Sequence, residues 1–173
     1  MELLEAVKLL DLPDWWICAG FVRSKIWDTL HDFTHRTRLQ DIDVIYFNPD
    51  NMLEEEEKRF EEMLNNLTSG IPWSVKNQAR MHLRNHVAPY TSSVDAMTKF
   101  PETATALGVK LDQQHKLVLS APHGIEDLIG LEVRPTPFFM LTQNRMQAYH
   151  KRIENKEWKA HWPKLTITHL KDI

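Results

Sequence analysis

Apolar residues recur along the chain with two different periods, and the switches between them mark out the elements. Leu3, Ala6, Val7 and Leu10 fall at helical spacing, which predicts an amphipathic helix over 2–12 that Pro13 stops. Residues 15–19 contain nothing polar, the composition of a short strand covered on both faces, and Gly20 ends it. From Val22 the apolar positions Val22, Ile26, Leu30 and Phe33 return to a period between three and four, so the chain turns sharply from strand to helix at the glycine. Residues 34–40 are polar and without period, and read as a loop. Residues 41–47 alternate at first and then become almost wholly apolar, which predicts an interior strand whose acidic end emerges at a rim.

A turn at 48–50 leads into a helix that runs to about Leu67, with Leu53, Phe60, Leu64 and Leu67 as its buried stripe. The acid run 54–57 lies near the start of that helix, where carboxylates offset the dipole, and reads as a solvated face. Residues 73–81 alternate Trp73, Val75, Asn77, Ala79 and Met81 against polar neighbours, which predicts a third strand with one polar face. Beyond a mixed region with a short helix near 94–99, residues 108–112 and 116–120 read as two strands of a hairpin. A short helical piece at 125–130, a brief strand at 131–133 and a final helix from Thr142, carrying Met146, Tyr149 and Ile153, precede a tail with Trp158, Trp162 and Pro163.

Composition narrows the class more than it changes this picture. A chain of 173 residues is enough for one domain with a substantial core, burying about 70% of its unfolded surface by size scaling. The balance of 21 Lys and Arg against 24 Asp and Glu excludes a protein that coats a polyanion with its whole surface, and leaves room only for a local basic patch. The single cysteine, Cys18, sits in an apolar strand with nothing basic beside it and reads as a small buried hydrophobe. The apolar runs are too short for a membrane span and the opening Met1 and Glu2 are no basic leader, so the expected location is the cytoplasm.

Candidate chemistry concentrates between 19 and 43. Side chains repeat every second residue on a strand, so Asp41 and Asp43 project from one face and can together hold a divalent metal. Gly20 opens a helix whose first N–H groups lack internal partners and lie at the positive end of the dipole, which suits an anion; Arg23, Ser24 and Lys25 fall in the same turn. Elsewhere, His31 and His35 are four apart but read as a solvated helix face, and His82 with His86 lacks a third ligand at a telling distance. Arg80, Arg84 and His86 form a candidate basic rim, while Trp73, Tyr90, Phe138 and Phe139 read as packing residues before stacking ones.

The order A-G-F-V-R at 19–23, followed after a helix by D-I-D at 41–43, resembles the G-G-x-V-R-D … D-I-D signature of tRNA CCA-adding enzymes, within the DNA polymerase beta-like nucleotidyltransferase superfamily. The wider stretches LPDWWICAGFVRSKIWD, WSVKNQARMH, FPETATALGV and VRPTPFF look like a bacterial branch of that superfamily and extend the likeness over nearly the whole chain. The resemblance implies an α/β fold, nucleotidyltransferase-like, with a short mixed sheet and flanking helices. The whole chain would be one domain, with a core over about 1–85 and a family-specific extension over about 86–173. It also implies Mg2+ at Asp41 and Asp43, and a nucleoside triphosphate held by Gly20, Arg23, Ser24 and Asn77. The acceptor is open between RNA, protein and a small molecule.

Three departures from the pattern matter. Ala19 replaces the first glycine, Ser24 stands where the signature has an aspartate, and residues 73–81 lack the further aspartate that many members carry on the following strand, with Lys76, Asn77 and Gln78 there instead. An asparagine cannot act as a general base. Three readings therefore stand at this level: a magnesium-dependent nucleotidyltransferase, a catalytically incomplete nucleotide- or RNA-binding module of the same fold, and one half of a regulatory protein pair.

Overall fold

The structure, a computed structural model, describes residues 1–169. Helix α1 (Glu2–Lys8) buries Leu4, Ala6 and Val7, and a turn carries the chain into β1 (Trp16–Cys18), all of whose residues are buried. Then follow α2 (Gly20–Leu30), β2 (Ile42–Tyr46), α3 (Glu54–Leu67), β3 (Trp73–Asn77), α4 (Gln78–Asn85) and α5 (Ser93–Met97). The hairpin β4 (Gly108–Leu111) and β5 (Leu117–Ser120) comes next, then α6 (Glu126–Ile129), β6 (Glu132–Val133), α7 (Pro137–Met140), α8 (Gln143–Lys156), α9 (Trp158–His161) and β7 (Thr166–Ile167). The fold is α/β, with a five-stranded mixed sheet in the order β3-β2-β1-β4-β5 and helices around it. Within this sheet only β2 and β3 run parallel, joined through α3, and β1 is antiparallel to both β2 and β4; β6 and β7 form a separate parallel pair.

Alternation along β2 decides what each face of the sheet does. Ile42, Val44 and Tyr46 point into a core shared with Leu4 and Val7 of α1 and Leu64 of α3. Ile45 points the other way, toward Trp16, Cys18 and Met97, and Asp43 shares that second face by the same alternation. A further core gathers Trp27 of α2, Tyr149 and Ile153 of α8, and Trp158 and Trp162, so α8 and the segment that follows it to Leu165 pack onto α2. Burying Trp27 with edge-on Trp158 and Trp162, at ring separations of 5.5 and 5.2 Å, makes this docking aromatic.

Several sequence expectations change here. The strand expected over 73–81 ends at Asn77, because the Asn77 side chain accepts from Ala79 N and caps α4; Ala79 and Met81 are buried on the helix instead. The most buried positions of α2 are Arg23, Ser24, Trp27 and Asp28, a stripe with three polar members, while the apolar Val22 and Ile26 are half-buried against the cores beside it. In the acid run, Glu57 is fully buried, accepting from Asn77 N at 2.9 Å and from Arg80 through Nε and Nη2 at 3.2 and 2.9 Å. That engagement also removes Arg80 from any basic rim. His31 is buried rather than solvated: Nδ1 meets Trp27 O at 2.8 Å and Nε2 accepts from Lys164 N at 3.0 Å, pinning the C-terminal segment to α2. The absence of any helix long and apolar enough to cross a membrane, among the described residues, agrees with the short apolar runs.

Candidate active site

The strand-to-helix turn is sharper than a glycine alone explains. Ala19 itself has φ 50° and ψ −115°, a backbone conformation that glycine adopts freely and alanine does not. Its N–H donates to Leu107 O, and its carbonyl accepts from Val22 N and Arg23 N at 3.2 and 3.0 Å. This leaves the amides of Gly20 and Phe21 as the helix donors without an acceptor in their own turn. A Cβ on Gly20 would meet only ordinary contacts, Arg23 Nη2 at 3.5 Å and Leu39 Cδ2 at 3.8 Å. The glycine therefore keeps open an approach from the cleft rather than relieving a clash.

That approach is a cleft of about 610 Å³ whose walls include Gly20, Arg23, Ser24, Asp41, Arg152 and Lys156. Asp41 is exposed at its rim, immediately before β2, while Asp43 is half-buried one step along the same face. The electrostatic neighbours of Asp43 are Asp41, Arg152 and Lys156. Burial, then the Asp41 charge, push the Asp43 carboxyl above its ordinary pKa; a hydrogen bond from Ser74 and the two α8 cations oppose the rise. Two mutually repelling carboxylates, one partly withdrawn from water, form an arrangement that a divalent cation relieves. No cluster of three His, Cys, Asp or Glu suited to a metal occurs among the described residues. Two carboxylates are donors that suit a hard divalent cation which takes its other ligands from water and phosphate.

The register relocates the question of a third carboxylate. Asp43 lies directly beside Ser74 on parallel β3, so the position next to the acid pair is Ser74, not Lys76, Asn77 or Gln78. Asn77 lies opposite Tyr46 at the far end of β2 and does not line the cleft. Its amide is fully engaged, donating to Asn48 O and Asn51 O at 2.8 Å each and accepting from Asn48 N and Ala79 N. Such an amide has no group left for a nucleotide. Lys25 also points away, exposed on the outer side of α2. The structure therefore lines one cleft with Gly20, Arg23, Ser24 and Asp41, sets Asp43 behind that lining but within electrostatic reach of Arg23, Asp41, Arg152 and Lys156, and leaves Asn77 out.

Residues with no place in the sequence argument complete the walls. Asp28, one helical turn after Ser24 on the same buried face, accepts from Thr37 N at 2.8 Å, Thr37 Oγ1 at 2.6 Å and Trp162 Nε1 at 2.9 Å. Burial raises its pKa, but the Thr37 and Trp162 hydrogen bonds outweigh burial and the net direction is down. Because Thr37 gives its only proton to Asp28, His161 Nε2 must donate to Thr37 Oγ1 across 2.7 Å. Arg152 Nε donates to the fully buried Glu102 at 2.6 Å. The i, i+4 spacing of Arg152 and Lys156, with Trp158 and Trp162 just beyond, was the readable trace of this wall.

Comparison with known proteins shows the family and the fold. A family model described as nucleotidyltransferase matches residues 5–167. A solved structure titled as revealing a CCA-adding enzyme head domain is 39% identical, with a TM-score of 0.86, covering 96% of this chain and 87% of that one. The Thermotoga maritima CCA-adding enzyme complexed with tRNA is 16% identical at a TM-score of 0.57 over 98% of this chain, and a tRNA nucleotidyltransferase with a primer tRNA and an incoming ATP analogue is 13% identical at 0.54 over 96%. These two show the fold alone, and the chain spans 38% and 46% of their lengths. No curated protein matches the chain. With the match running over nearly every described element, from α1 to β7, the chain belongs to the nucleotidyltransferase family and is related to the CCA-adding enzymes.

Proposed function

We propose that the chain, as one nucleotidyltransferase-like domain, transfers a nucleoside monophosphate from a nucleoside triphosphate to an acceptor hydroxyl in a magnesium-dependent reaction. The observation that carries this is the convergence of the Gly20 turn, Arg23 and Asp41 on one cleft, with the Asp43 carboxylate just behind and within electrostatic reach of Asp41 and Arg23. Asp41 and Asp43 would hold magnesium, which supplies charge neutralisation at the phosphates. The Gly20 and Phe21 amides, with Ser24 and Arg23, bind and orient the terminal phosphates, leaving the α-phosphorus near the acid pair. The acceptor oxygen forms its bond to that phosphorus as the bond to the bridging oxygen breaks. Pyrophosphate leaves with the electron pair, and the hydroxyl proton passes to solvent. Phosphoryl chemistry of this kind is mostly positioning and electrostatics, so few side chains suffice.

The relatives solved with tRNA or with ATP support a nucleoside triphosphate donor and make RNA the first acceptor class to assay. Ser74 favours a second reading, a nucleotide- or RNA-binding module, because a hydroxyl beside Asp43 neither carries charge for a second metal nor serves as a base. Pyrophosphate release with each nucleoside triphosphate, magnesium and RNA, protein or small-molecule acceptors separates the two, with Asp43→Asn as control. Release by wild type and none by the variant supports transfer. Equal inertness, with both proteins thermally stabilised by a nucleotide, supports the module.

A further inference from the structure

Arg23 carries a charge that, among the described residues, no carboxylate meets in a direct ion pair. It is only 7% exposed and lies between the Trp27 and Trp158 rings, at 5.1 and 4.3 Å from their centroids. Its one hydrogen bond is a long one, Nη2 to Ser24 Oγ at 3.5 Å, and its Nε has no partner. Burial pulls its pKa down to about 10; Glu102 and, to a smaller extent, Asp43 and Asp41 oppose this, and Arg152 adds to it as a neighbouring like charge. A buried, incompletely bonded guanidinium facing a cleft is complementary to an anion that enters it.

Helix α8 brings two more cations to the same cleft. Arg152 and Lys156 are one turn apart and so on one face. Arg152 is held in place by Glu102, which is fully buried and whose other carboxylate oxygen accepts from Thr105 Oγ1 at 2.7 Å. That bond uses Nε alone, and the Nη groups of Arg152 and the ammonium of Lys156 form no hydrogen bond among the described residues. Three cations from helices more than a hundred residues apart therefore face one volume, with the buried Glu102 and the Asp41 and Asp43 carboxylates as their counter-charges.

We propose that Arg152 and Lys156 are phosphate-binding residues that, with Arg23, clamp the β- and γ-phosphates of the donor nucleotide and then the pyrophosphate it releases, Glu102 being the positioning residue for Arg152. The placement on the β- and γ-phosphates rests on the transferase reading above, but the clamp itself is testable without catalysis. The probes are inorganic pyrophosphate and inorganic phosphate, titrated into the full chain by calorimetry without metal at two salt concentrations. Wild type should bind pyrophosphate more tightly than phosphate, and more weakly at higher salt. Arg152→Ala and Lys156→Ala should each weaken pyrophosphate binding by roughly tenfold or more, the loss of one charge-assisted contact. Arg152→Lys should recover part of it, and Asp41→Asn should bind at least as tightly as wild type. Glu102→Gln should weaken pyrophosphate binding, and adding it to Arg152→Ala should bring no further loss, which a merely structural role would not produce. Lys156 is exposed, so its variant keeps the fold. Wild type that ignores pyrophosphate, or alanine variants that bind it unchanged, would overturn the clamp. Variants that lose pyrophosphate while wild type transfers nothing leave the clamp standing and remove the transferase reading; transfer with unaffected variants does the reverse.

Discussion

Replacing Ala19 with glycine tests whether the phosphate-facing turn is under strain. At φ 50° and ψ −115° the alanine lies outside even the left-handed helical well, in territory where residues with a Cβ pay about 1–3 kcal/mol, and the large ψ offset argues for about 2. Glycine removes this term. Against it stands the larger conformational freedom of glycine in the unfolded chain, about 0.7 kcal/mol. The methyl of Ala19 is half-buried against the cluster of Trp16, Cys18 and Met97, so losing it costs about 0.4 kcal/mol, half of a fully buried methylene. The balance is a net stabilisation of about 1 kcal/mol, or roughly 2–4 °C in melting temperature for a chain of this length. Urea denaturation, followed by tryptophan fluorescence and by circular dichroism, should show a higher midpoint at unchanged slope. A midpoint equal to or below that of wild type, with the slope unchanged, would refute the assignment of strain to Ala19.

Three further perturbations probe the carboxylates and the sheet. The folded pKa of Asp43 lies above its unfolded value, so stability falls as pH rises from the ordinary carboxylate pKa through the folded one and stays lowered above it. Asp43→Asn should thus melt higher than wild type at pH 7 without magnesium while losing pyrophosphate release, and a lower melting temperature would contradict the desolvation argument. Asp28 has the opposite sign: its stabilisation is fully present above the unfolded pKa and disappears as pH falls through the depressed folded value. Asp28→Asn should cost roughly 1.5–3 kcal/mol at neutral pH, the range for a hydrogen-bonded charge, and should flatten the acid limb of a stability–pH curve. Gly108→Ala would place a Cβ 2.8 Å from Cys18 Sγ and 3.1 Å from Trp16 Cβ, so denaturant titration should register an overpacking loss of about 1–3 kcal/mol.

What was legible in the chain follows the range of the interactions concerned. The switch from strand to helix at Gly20, the β4–β5 hairpin, the helix start at Thr142 and the Met146, Tyr149 and Ile153 stripe are local patterns, and each appears where the sequence puts it. The alternation of Asp41 and Asp43 is local too. The buried side of α2 was not legible, because Arg23, Ser24 and Asp28 are polar and acquire their partners from Thr37, Trp158 and Trp162. Residues 77–81 misled for a related reason: Asn77, Ala79 and Met81 satisfy a strand period and a helix face alike, and only the Asn77 cap decides between them. The register of β2 on β3, which puts Ser74 beside Asp43, depends on α3 and is invisible to spacing.

Asp28 explains why the two ends of the chain make one site. Its carboxylate holds Thr37 through backbone and side chain and holds the Trp162 indole through Nε1. Thr37 begins the short run that ends at Asp41, and Trp162 follows the helix that, with α8, forms the opposite wall. One buried acid on α2 therefore ties the carboxylate rim to the C-terminal wall, while Gly20 and Phe21, at the start of the same helix, present their amides between them. The signature's aspartate is missing at Ser24, and Asp28 stands one turn further along the same face, where a carboxylate can reach both the loop and the C-terminal wall. A cleft arranged in this way responds as a unit: a change at Asp28 moves the acid pair relative to Arg152, whereas a change at Ser74 alters only the chemistry beside Asp43.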